Sequence, residues 1–336
     1  MIRCIVDRTK GFGNLKRCLI IAEALKKNHK ILFVIDNEQL VINELKKRKL
    51  QFKIKPRTIL PSFESSFISK IMESIGSEIA IIDMREYGEH ITKQLRNYPV
   101  KTILLDDAWS KNAYADIIIN GTPVSQYHKY KKKNKKCHIY VGTKYFIINE
   151  DFIKNKKQLS DIVDKKKYQI VISMGGSDPN DLTFFVTKSL LNLENVKLRI
   201  ILGPLYHEHN NLLRLIKNQK NIKLIKSPLK IWNEFFKADL AISNAGNTLF
   251  ELAIMRIPTM CISAVAHQIP YAEEFTKQHS ALNVGFWKNV TDHKIRKNVE
   301  YLINNKKLRK IFSSSASRII DGKGLSRVIK IIENID

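Results

Sequence analysis

The sequence contains few cysteines and no long apolar run. Its four cysteines (Cys4, Cys18, Cys137 and Cys261) are widely separated, and they form neither a C-x-x-C pair nor a Cys/His spacing suited to zinc. This pattern excludes a disulfide-built scaffold and predicts a reduced, intracellular protein in which the cysteines are small core residues. No window approaches the roughly 18 apolar residues that a membrane-spanning helix requires, and residues 1–13 lack the apolar stretch of a signal peptide. We therefore expect a cytoplasmic protein.

Two glycine signatures for phosphate groups are also missing. The sequence has no G-x-x-x-x-G-K-[ST] run, which excludes a P-loop, and its first turn, KGFGN at 10–14, is followed by Lys16 where G-x-G-x-x-G needs its last glycine. This departure disfavours a dinucleotide cofactor. We find no cluster with metal-ligand spacing, since the adjacent Asp106 and Asp107 point apart in an extended segment. We expect neither a cofactor nor a metal.

Basic residues greatly outnumber acidic ones. The chain has 58 Lys and Arg against 32 Asp and Glu, a formal net charge of +26, which is typical of proteins that bind nucleic acid or anionic membranes. The lysines are, however, spread along many segments rather than gathered with aromatic residues. We interpret the densest run, KYKKKNKK at 129–136, as a solvated loop, with contact to acidic lipid headgroups or to nucleic-acid phosphate as the alternatives.

Short runs rich in Ile and Val recur with room for one helix between each pair. This spacing predicts parallel sheets made of strand–helix–strand units, an α/β class. With 336 residues and 44 % hydrophobic content, the chain can bury a large core and fits two domains. The predicted strands are 2–6, 31–35, 52–55, 79–83, 102–105, 116–119, 169–174, 197–202, 222–225, 240–243 and 259–262, and the predicted helices include 15–27, 63–75 and 181–191.

The stretch 149–167 is polar, highly charged and without a strand-like run, which is typical of a linker. We therefore predict an N-terminal domain over residues 1–160 and a C-terminal domain over 161–336. The last segment, 326–335, is amphipathic and predicted to be helical. Its periodicity alone leaves open whether it packs back on the first domain.

Glycine-containing turns follow predicted strands in both halves. At the carboxyl ends of parallel strands, loops and helix N-termini offer N–H groups to a ligand, and glycine lets the backbone come close. Gly11 and Gly13 provide such a turn in the first half. In the second half, the turn at 173–179 (SMGGSDP) offers backbone amides and a hydroxyl to a phosphate, while Asn180 or Asp181 would cap the following helix.

A further turn, at 243–251 (SNAGNTLFE), again joins a predicted strand to a helix. Gly246 frees the turn, and Asn247 and Thr248 lie at a helix N-terminus suited to an anion. Glu251 falls one helical turn later. Because a carboxylate and a phosphate are both negatively charged, we expect Glu251 to bind another part of the ligand, namely the vicinal hydroxyls of a ribose.

Five segments together resemble a known family: GFGNLKRC, the Asp106–Asp107 pair, MGGSDPND, SNAGNTLFEL followed by IP, and AHQ. The chain resembles the UDP-sugar hydrolase of the pseudaminic-acid pathway and the related spore-coat polysaccharide proteins over about residues 1–285. More distantly, it resembles the UDP-N-acetylglucosamine transferase of peptidoglycan synthesis. The resemblance implies a GT-B fold, with two Rossmann-like domains facing each other across a cleft and the nucleotide held by the second. Such enzymes usually need no metal, because a helix dipole and amides stabilise the departing diphosphate.

Carried over by position, the resemblance assigns one role to each part of the nucleotide sugar. Glu251 would bind the ribose, the segment 226–229 that ends at Leu229 would lie beside the uracil, and Gln268 would face the sugar. The residues implied to lie near the diphosphate are Gly175, Gly176, Ser177, Asn247 and Thr248.

Two positions depart from the hydrolase pattern. The first glycine turn of the hydrolase normally ends in His, a candidate base for activating water, and Asn14 stands there; an amide does not accept a proton at neutral pH, which excludes this position as a base. The hydrolase has Asn where this chain has His267. We hypothesise that His267 has taken over part of the lost role, and the alternative is a simple contact with the sugar or diphosphate. Asp83 and Asp106, each at a strand end, could instead act as the base or bind a sugar hydroxyl.

The sequence thus predicts an enzyme that acts on a UDP-linked sugar in the synthesis of a surface polysaccharide or a nonulosonic acid. The overall resemblance favours hydrolysis, whereas Asn14 favours sugar transfer to an acceptor, or a protein that binds UDP-sugars without turnover. A basic surface also suits a transferase working at an anionic membrane. Binding to nucleic acid would account for the charge but leaves the glycine turns and Glu251 unexplained.

Overall fold

The structure, a computed structural model, describes residues 1–6, 12–207 and 210–335. The chain divides into two compact units, which we call unit 1 (Met1–Ile148 and Lys323–Asp336) and unit 2 (Asn149–Gly322). Each unit contains a parallel sheet with strands joined through helices. The predicted α/β class is confirmed.

Unit 1 is built on a seven-stranded sheet of order β3-β2-β1-β4-β5-β7-β9, and its strands pair in parallel. A small additional sheet joins β6 to β8. The strands are β1 (Ile2–Cys4), β2 (Leu32–Ile35), β3 (Gln51–Ile54), β4 (Ile79–Asp83), β5 (Lys101–Leu105), β6 (Asn112–Ala113), β7 (Ile117–Asn120), β8 (Lys131–Lys132) and β9 (His138–Val141). The helices are α1 (Gly13–Leu25), α2 (Gln39–Lys47), α3 (Glu64–Ser74), α4 (Gly88–Leu95) and, at the end of the chain, α13 (Gly324–Glu333).

Unit 2 is built on a six-stranded parallel sheet of order β12-β11-β10-β13-β14-β15. Its strands are β10 (Tyr168–Ser173), β11 (Val196–Leu202), β12 (Ile222–Lys226), β13 (Leu240–Asn244), β14 (Thr259–Ser263) and β15 (Leu282–Phe286). Its helices are α5 (Glu150–Lys154), α6 (Leu182–Leu190), α7 (Asn210–Ile216), α8 (Ile231–Phe236), α9 (Asn247–Ile254), α10 (Ile269–Lys277), α11 (Asp292–Asn304) and α12 (Lys306–Ile319).

The strands read as continuous apolar runs because both faces of each sheet are covered. In β2, Phe33 and Ile35 belong to one buried cluster, whereas Leu32 and Val34 belong to the cluster on the other side. Successive residues of a strand point to opposite faces, so a strand buried on both sides needs apolar residues at every position. This is why the Ile- and Val-rich runs locate the strands.

The C-terminal helix belongs to unit 1. Val328 and Ile332, four residues apart on α13, are buried in the same cluster as residues of α1 and β1. The division between the units falls between Ile148 and Asn149, earlier than the boundary expected near residue 160. Residues 323–336, expected in the C-terminal domain, therefore pack with the N-terminal one, because the apolar stripe of α13 completes the unit 1 core.

The run of lysines at 129–136 is exposed, but it is not an irregular loop throughout. Lys131 and Lys132 form β8 and pair with β6, and Tyr130 packs against one of the buried clusters of unit 1. The four cysteines are buried and unpaired, as expected of core residues. In the part of the chain that the structure describes, none of the helices is both long and apolar enough to cross a bilayer.

Candidate functional site

The turn after β10 is held in one shape by glycines. Gly175 has a φ of +84°, and a Cβ there would lie 2.9 Å from Nδ2 of Asn244. Gly203, just after β11, is packed more tightly, because a Cβ there would lie 2.3 Å from the carbonyl oxygen of Gly175 and 2.4 Å from that of Gly176. The N–H of Leu205 also donates to the Gly176 carbonyl at 2.9 Å. The predicted Gly175–Gly176 turn therefore rests on a second turn that the sequence analysis did not single out.

Asp178 caps the helix that follows this turn. Its carboxylate accepts hydrogen bonds from the N–H groups of Leu182 (2.9 Å) and Thr183 (2.8 Å), and burial raises its pKa against the lowering effect of these bonds. Asp181 occupies the N-cap position of α6 but makes no capping hydrogen bond with its side chain, so the expectation that the side chain of Asn180 or Asp181 caps the helix was wrong. Left-handed backbone at residues 178 and 181 brings the carboxylate of the earlier residue to the helix start.

The two residues expected as caps instead tie the turn to its neighbours. Asn180 donates from Nδ2 to the carbonyl of Ala264 at 2.8 Å, and Asp181 accepts from the hydroxyl of Tyr206 at 2.7 Å. The first N–H groups of α6 are thus used by a carboxylate.

Helix α9 begins at a glycine. Gly246 is its N-cap and has no side chain with which to cap the helix, so the N-terminal end of the dipole is presented by backbone alone. Asn247 is exposed at the first helical position, Thr248 is buried, and Glu251 is only 4 % exposed. An anion-binding role for Asn247 and Thr248 and a ribose-binding role for Glu251 stay predictions.

Gln268 ends the short 3₁₀ turn that follows β14, and its side chain lies beside the start of α9. Its Oε1 accepts a hydrogen bond from the Ala264 N–H at 2.9 Å, and its Nε2 lies 3.3 Å from where a Cβ of Gly246 would be. Asn244, at the end of β13, lies against both Gly175 and Gly246. The structure thus brings together Gly175, Gly246 and Gln268 and adds Asn244.

Three other predicted residues of unit 2 lie in turns near these strand ends. Leu229, after β12, is 77 % exposed. Ser177 is partly buried in the turn after Gly176, and His267 is partly buried in a short 3₁₀ turn that precedes α10.

In unit 1, Asp83 at the end of β4 is the centre of a buried charged network. Its carboxylate accepts from Nε and a second guanidinium nitrogen of Arg17 at 2.5 and 2.6 Å and from Asn14 Nδ2 at 2.5 Å. Arg17 also donates to Asp107 at 2.6 Å. Burial raises the pKa of Asp83, and the charge of Arg17 opposes that effect. Arg17 thus joins carboxylates at the ends of two neighbouring strands.

Asn14 is bonded at both ends of its amide. Its nitrogen donates to Asp83, and its oxygen accepts from Nε of Arg85 at 3.2 Å. Arg85 has a φ of +46°, a left-handed conformation that is rare for arginine. Gly13 is the first residue of α1, whereas Gly11 lies outside the described residues.

Asp106 follows β5 and is buried beside a tyrosine. Its carboxylate accepts from the Tyr130 hydroxyl at 2.9 Å and from the Ser110 hydroxyl at 3.2 Å. Burial and the neighbouring charge of Asp107 raise its pKa to about 6. Tyr130 was missed by the sequence analysis, and the one available signal was an aromatic residue inside the lysine run.

The described residues contain no group of three or more His, Cys, Asp or Glu placed to hold a metal ion.

No protein-family model matches the chain. Among curated proteins, it is 24 % identical over 97 % of its length to the spore coat polysaccharide biosynthesis protein SpsG of Bacillus subtilis, of which the match covers 95 %. It is 29 % identical over 75 % of its length to an uncharacterized protein of Methanocaldococcus jannaschii. It is also 28 % identical over 47 % of its length to a Helicobacter pylori protein named pseudaminic acid cytidylyltransferase and UDP-2,4-diacetamido-2,4,6-trideoxy-beta-L-altropyranose hydrolase. The match spans about half (53 %) of the M. jannaschii protein and 28 % of the H. pylori protein.

Solved structures resemble the whole chain. MurG of Acinetobacter baumannii superposes with a TM-score of 0.73 at 14 % identity, with 99 % of each chain covered. A complex of S. aureus MnaA with UDP gives a TM-score of 0.66 at 12 % identity, covering 99 % of this chain and 95 % of that one. The resemblance expected from the sequence motifs is confirmed: the chain has the GT-B fold and is similar in sequence to SpsG and to the hydrolase-containing protein of H. pylori.

Proposed function

We propose that the chain is an enzyme that separates a sugar from UDP in the synthesis of a surface polysaccharide or a nonulosonic acid. One observation carries this proposal: the Gly175–Gly176 turn and the glycine-capped start of α9 meet at the ends of adjacent strands, β10 and β13. Such a pairing of glycine turn and helix N-terminus binds phosphate groups. The names of SpsG and of the H. pylori hydrolase support a nucleotide sugar as the substrate.

Unit 2 would hold the UDP group through its backbone. The amides of Gly175, Gly176 and Ser177 and the start of α9, at Asn247 and Thr248, would bind the diphosphate. Glu251 would bind the ribose, and Leu229 would cover one face of the uracil. The helix dipole of α9 and the turn amides would stabilise the charge that UDP gains on leaving.

The reaction also needs a proton acceptor. The bond between the anomeric carbon and the diphosphate oxygen breaks, the attacking oxygen bonds to that carbon, and its proton passes to a base. We propose Asp106 as that base, because a carboxylate with a pKa of about 6 is ionised near neutral pH yet basic enough to accept a proton. His267 is the second candidate, and Asn14 is neither.

The attacking oxygen belongs either to water or to an acceptor hydroxyl. Similarity to the H. pylori protein favours hydrolysis. The identity of residue 14 favours transfer, because an amide bonded to Asp83 and Arg85 stands where the hydrolase family is expected to have the histidine that activates water.

The test is to incubate the purified protein with a panel of UDP-sugars, with and without candidate acceptors, and to measure UDP release. UDP release without an acceptor indicates hydrolysis, and release that requires an acceptor indicates transfer. UDP binding with no release under either condition would contradict the proposed activity and leave a binding protein. Asp106→Asn should abolish UDP release. Comparing the rates of UDP release by His267→Ala and Asn14→His measures how much His267 contributes to catalysis.

We also propose that the protein works in the cytoplasm and touches anionic membranes through the exposed lysines of the 129–136 run. Three or more clustered lysines gain about 1 kcal/mol each at an anionic surface. Sedimentation with anionic vesicles that is lost at high salt or on replacing Lys131, Lys132 and Lys133 by Gln would support this contact. Equal sedimentation with neutral vesicles would contradict it.

A further inference from the structure

Asn244 lies where the two ligand-facing turns of unit 2 meet. It is the last residue of β13, between β10 and β14, and its neighbours in the sheet lead into the turns at Gly175 and Ala264. Its amide nitrogen is 2.9 Å and its amide oxygen 3.4 Å from the Cβ position of Gly175. The same oxygen is 3.5 Å from the Cβ position of Gly246. The side chain therefore fills the space between the two glycines.

The amide oxygen of Asn244 is buried and accepts no hydrogen bond. Among the described side chains, only Asn244 and Gln94 have a buried amide oxygen in this state. Leaving a buried acceptor unsatisfied costs folding free energy, and such atoms are normally paired with protein or water. The oxygen of Gln94 is in unit 1, so Asn244 is the one of the two that lies at the proposed nucleotide site.

The missing partner must be a hydrogen-bond donor. Phosphate oxygens of an ionised diphosphate only accept hydrogen bonds, and the ribose is assigned to Glu251. The uracil, whose N3–H is a further donor of UDP, is assigned to the segment that ends at Leu229, so the remaining donors of a bound nucleotide sugar are on the sugar, beside the carbon that bears the diphosphate. Either a hydroxyl or an acylamino N–H at that position supplies a hydrogen-bond donor.

We propose that the Asn244 amide oxygen accepts a hydrogen bond from the sugar, from a hydroxyl or acylamino N–H on the carbon next to the anomeric carbon. Asn244 then selects UDP-sugars that carry a donor at this position. This inference rests on the proposed function and adds to it the class of sugar. A site that contains a buried polar group discriminates strongly against a ligand that leaves this group unpaired.

The test is calorimetric binding of four ligands to the intact protein: UDP, UDP-glucose, UDP-N-acetylglucosamine and UDP-2-deoxy-2-fluoroglucose, whose fluorine cannot donate. We expect the wild type to bind at least one of the two donor sugars about tenfold or more tightly than the fluoro sugar. Hydroxyl and acylamino donors are distinguished by which of the two binds more tightly. Asn244→Ala should remove the preference and change UDP affinity by less than about threefold.

Two controls separate recognition from a structural role. Gln94→Ala removes the other unsatisfied amide oxygen and should leave the sugar preference intact. Asn244→Ala removes an unpaired acceptor, which gains stability, together with the packing of the side chain, which loses it, so we expect its midpoint of thermal unfolding without ligand to stay within about 4 °C of the wild type.

Three results would overturn the inference. If the wild type binds all three UDP-sugars equally, the inference is wrong but the proposed function stands. The same conclusion follows if Asn244→Ala keeps the preference of the wild type. A wild type that binds no UDP would overturn the proposed function and the inference with it.

Discussion

The two units place different chemistry at the carboxyl ends of their strands. In unit 1, the ends of β4 and β5 carry charged side chains that bind one another, with Arg17 between Asp83 and Asp107. In unit 2, the turns after β10 and β13 contain Gly175 and Gly246 beside the side-chain amide of Asn244, and the turn after β11 packs Gly203 against the backbone carbonyls of Gly175 and Gly176. The carboxyl ends of the strands thus carry paired charged side chains in unit 1 and glycine turns in unit 2.

This difference suits the two units to different chemical tasks. The ion pairs of Arg17 hold the side chains at these strand ends, and burial together with the charge of Asp107 raises the pKa of Asp106, which suits its proposed role in proton transfer. Glycine turns let a ligand approach peptide N–H groups, which suits an anion such as a diphosphate. Variants in unit 1 should therefore change stability and pH dependence, whereas variants in the turns of unit 2 should change nucleotide affinity.

The largest expected effect is on the stability of unit 1. Arg17→Met leaves the fully buried Asp83 without its counter-charge, and removing one partner of a buried ion pair costs about 3–5 kcal/mol. Chemical denaturation should show this loss, and adding Asp83→Asn to the same variant should recover a large part of it. A loss below about 1 kcal/mol would show that the network does not hold the strand ends.

The next effect is a pH dependence from Asp106. Burial raises its pKa from 3.8 to about 6, so the folded state binds more protons than the unfolded state between these values. Stability from this group is therefore lost as the pH rises through that window, by about 3 kcal/mol in all. Asp106→Asn should gain stability relative to wild type on going from about pH 4 to about pH 7. The exposed Glu150→Gln is the control, and an identical pH profile for Asp106→Asn and wild type would contradict the assignment.

A smaller loss of stability, joined to a loss of binding, is expected at Gly203. Its Cβ would meet two backbone oxygens, so Gly203→Ala must displace the Gly175–Gly176 turn. We expect a cost of about 1–3 kcal/mol and a UDP affinity at least about tenfold lower by calorimetry. Gly76→Ala is the matched control, because its Cβ would meet no atom within 4 Å and only its φ of +59° is unfavourable. Unchanged UDP affinity in Gly203→Ala would show that the Gly175–Gly176 turn does not contribute to UDP binding.

The smallest effect is expected at Leu229. Leu229→Ser should change the free energy of unfolding by less than about 0.5 kcal/mol, since the side chain is 77 % exposed. UDP affinity should fall by about threefold to tenfold, and pyrophosphate affinity should not change, because only the uracil contact is lost. Leu60→Ser, at a side chain in unit 1 that is 59 % exposed, should change neither affinity. Equal losses for UDP and pyrophosphate would contradict a uracil contact.

The sequence predicted most of the sheet because burial on both faces leaves a local signal. The strand at 79–83 is found with its predicted bounds, and the other predicted strands lie within two residues of theirs. Besides the two-residue strands β6 and β8, strands β9 and β15 were missed. They lie at the sheet edges and contain polar residues or glycine (HIYV and LNVGF), so their apolar signal is weak.

The site was predictable where it depends on local sequence and not where it depends on tertiary contacts. The glycine turns at 175 and 246 precede helices and can be read along the chain. The contact of Gly203 with the first of these turns joins residues almost thirty positions apart. The capping by Asp178 depends on a left-handed backbone that the residue types did not reveal. Tyr130 reaches Asp106 only because the chain folds back through β8.

The central claim is that unit 2 binds UDP through its glycine turns and through Glu251. Its most direct test is calorimetric titration of UDP and 2′-deoxy-UDP into wild type and Glu251→Ala. We predict that wild type binds UDP and prefers it to the deoxy form, and that Glu251→Ala binds UDP at least about tenfold more weakly and loses the preference. No binding of UDP to wild type, or equal binding to both proteins, would contradict the account.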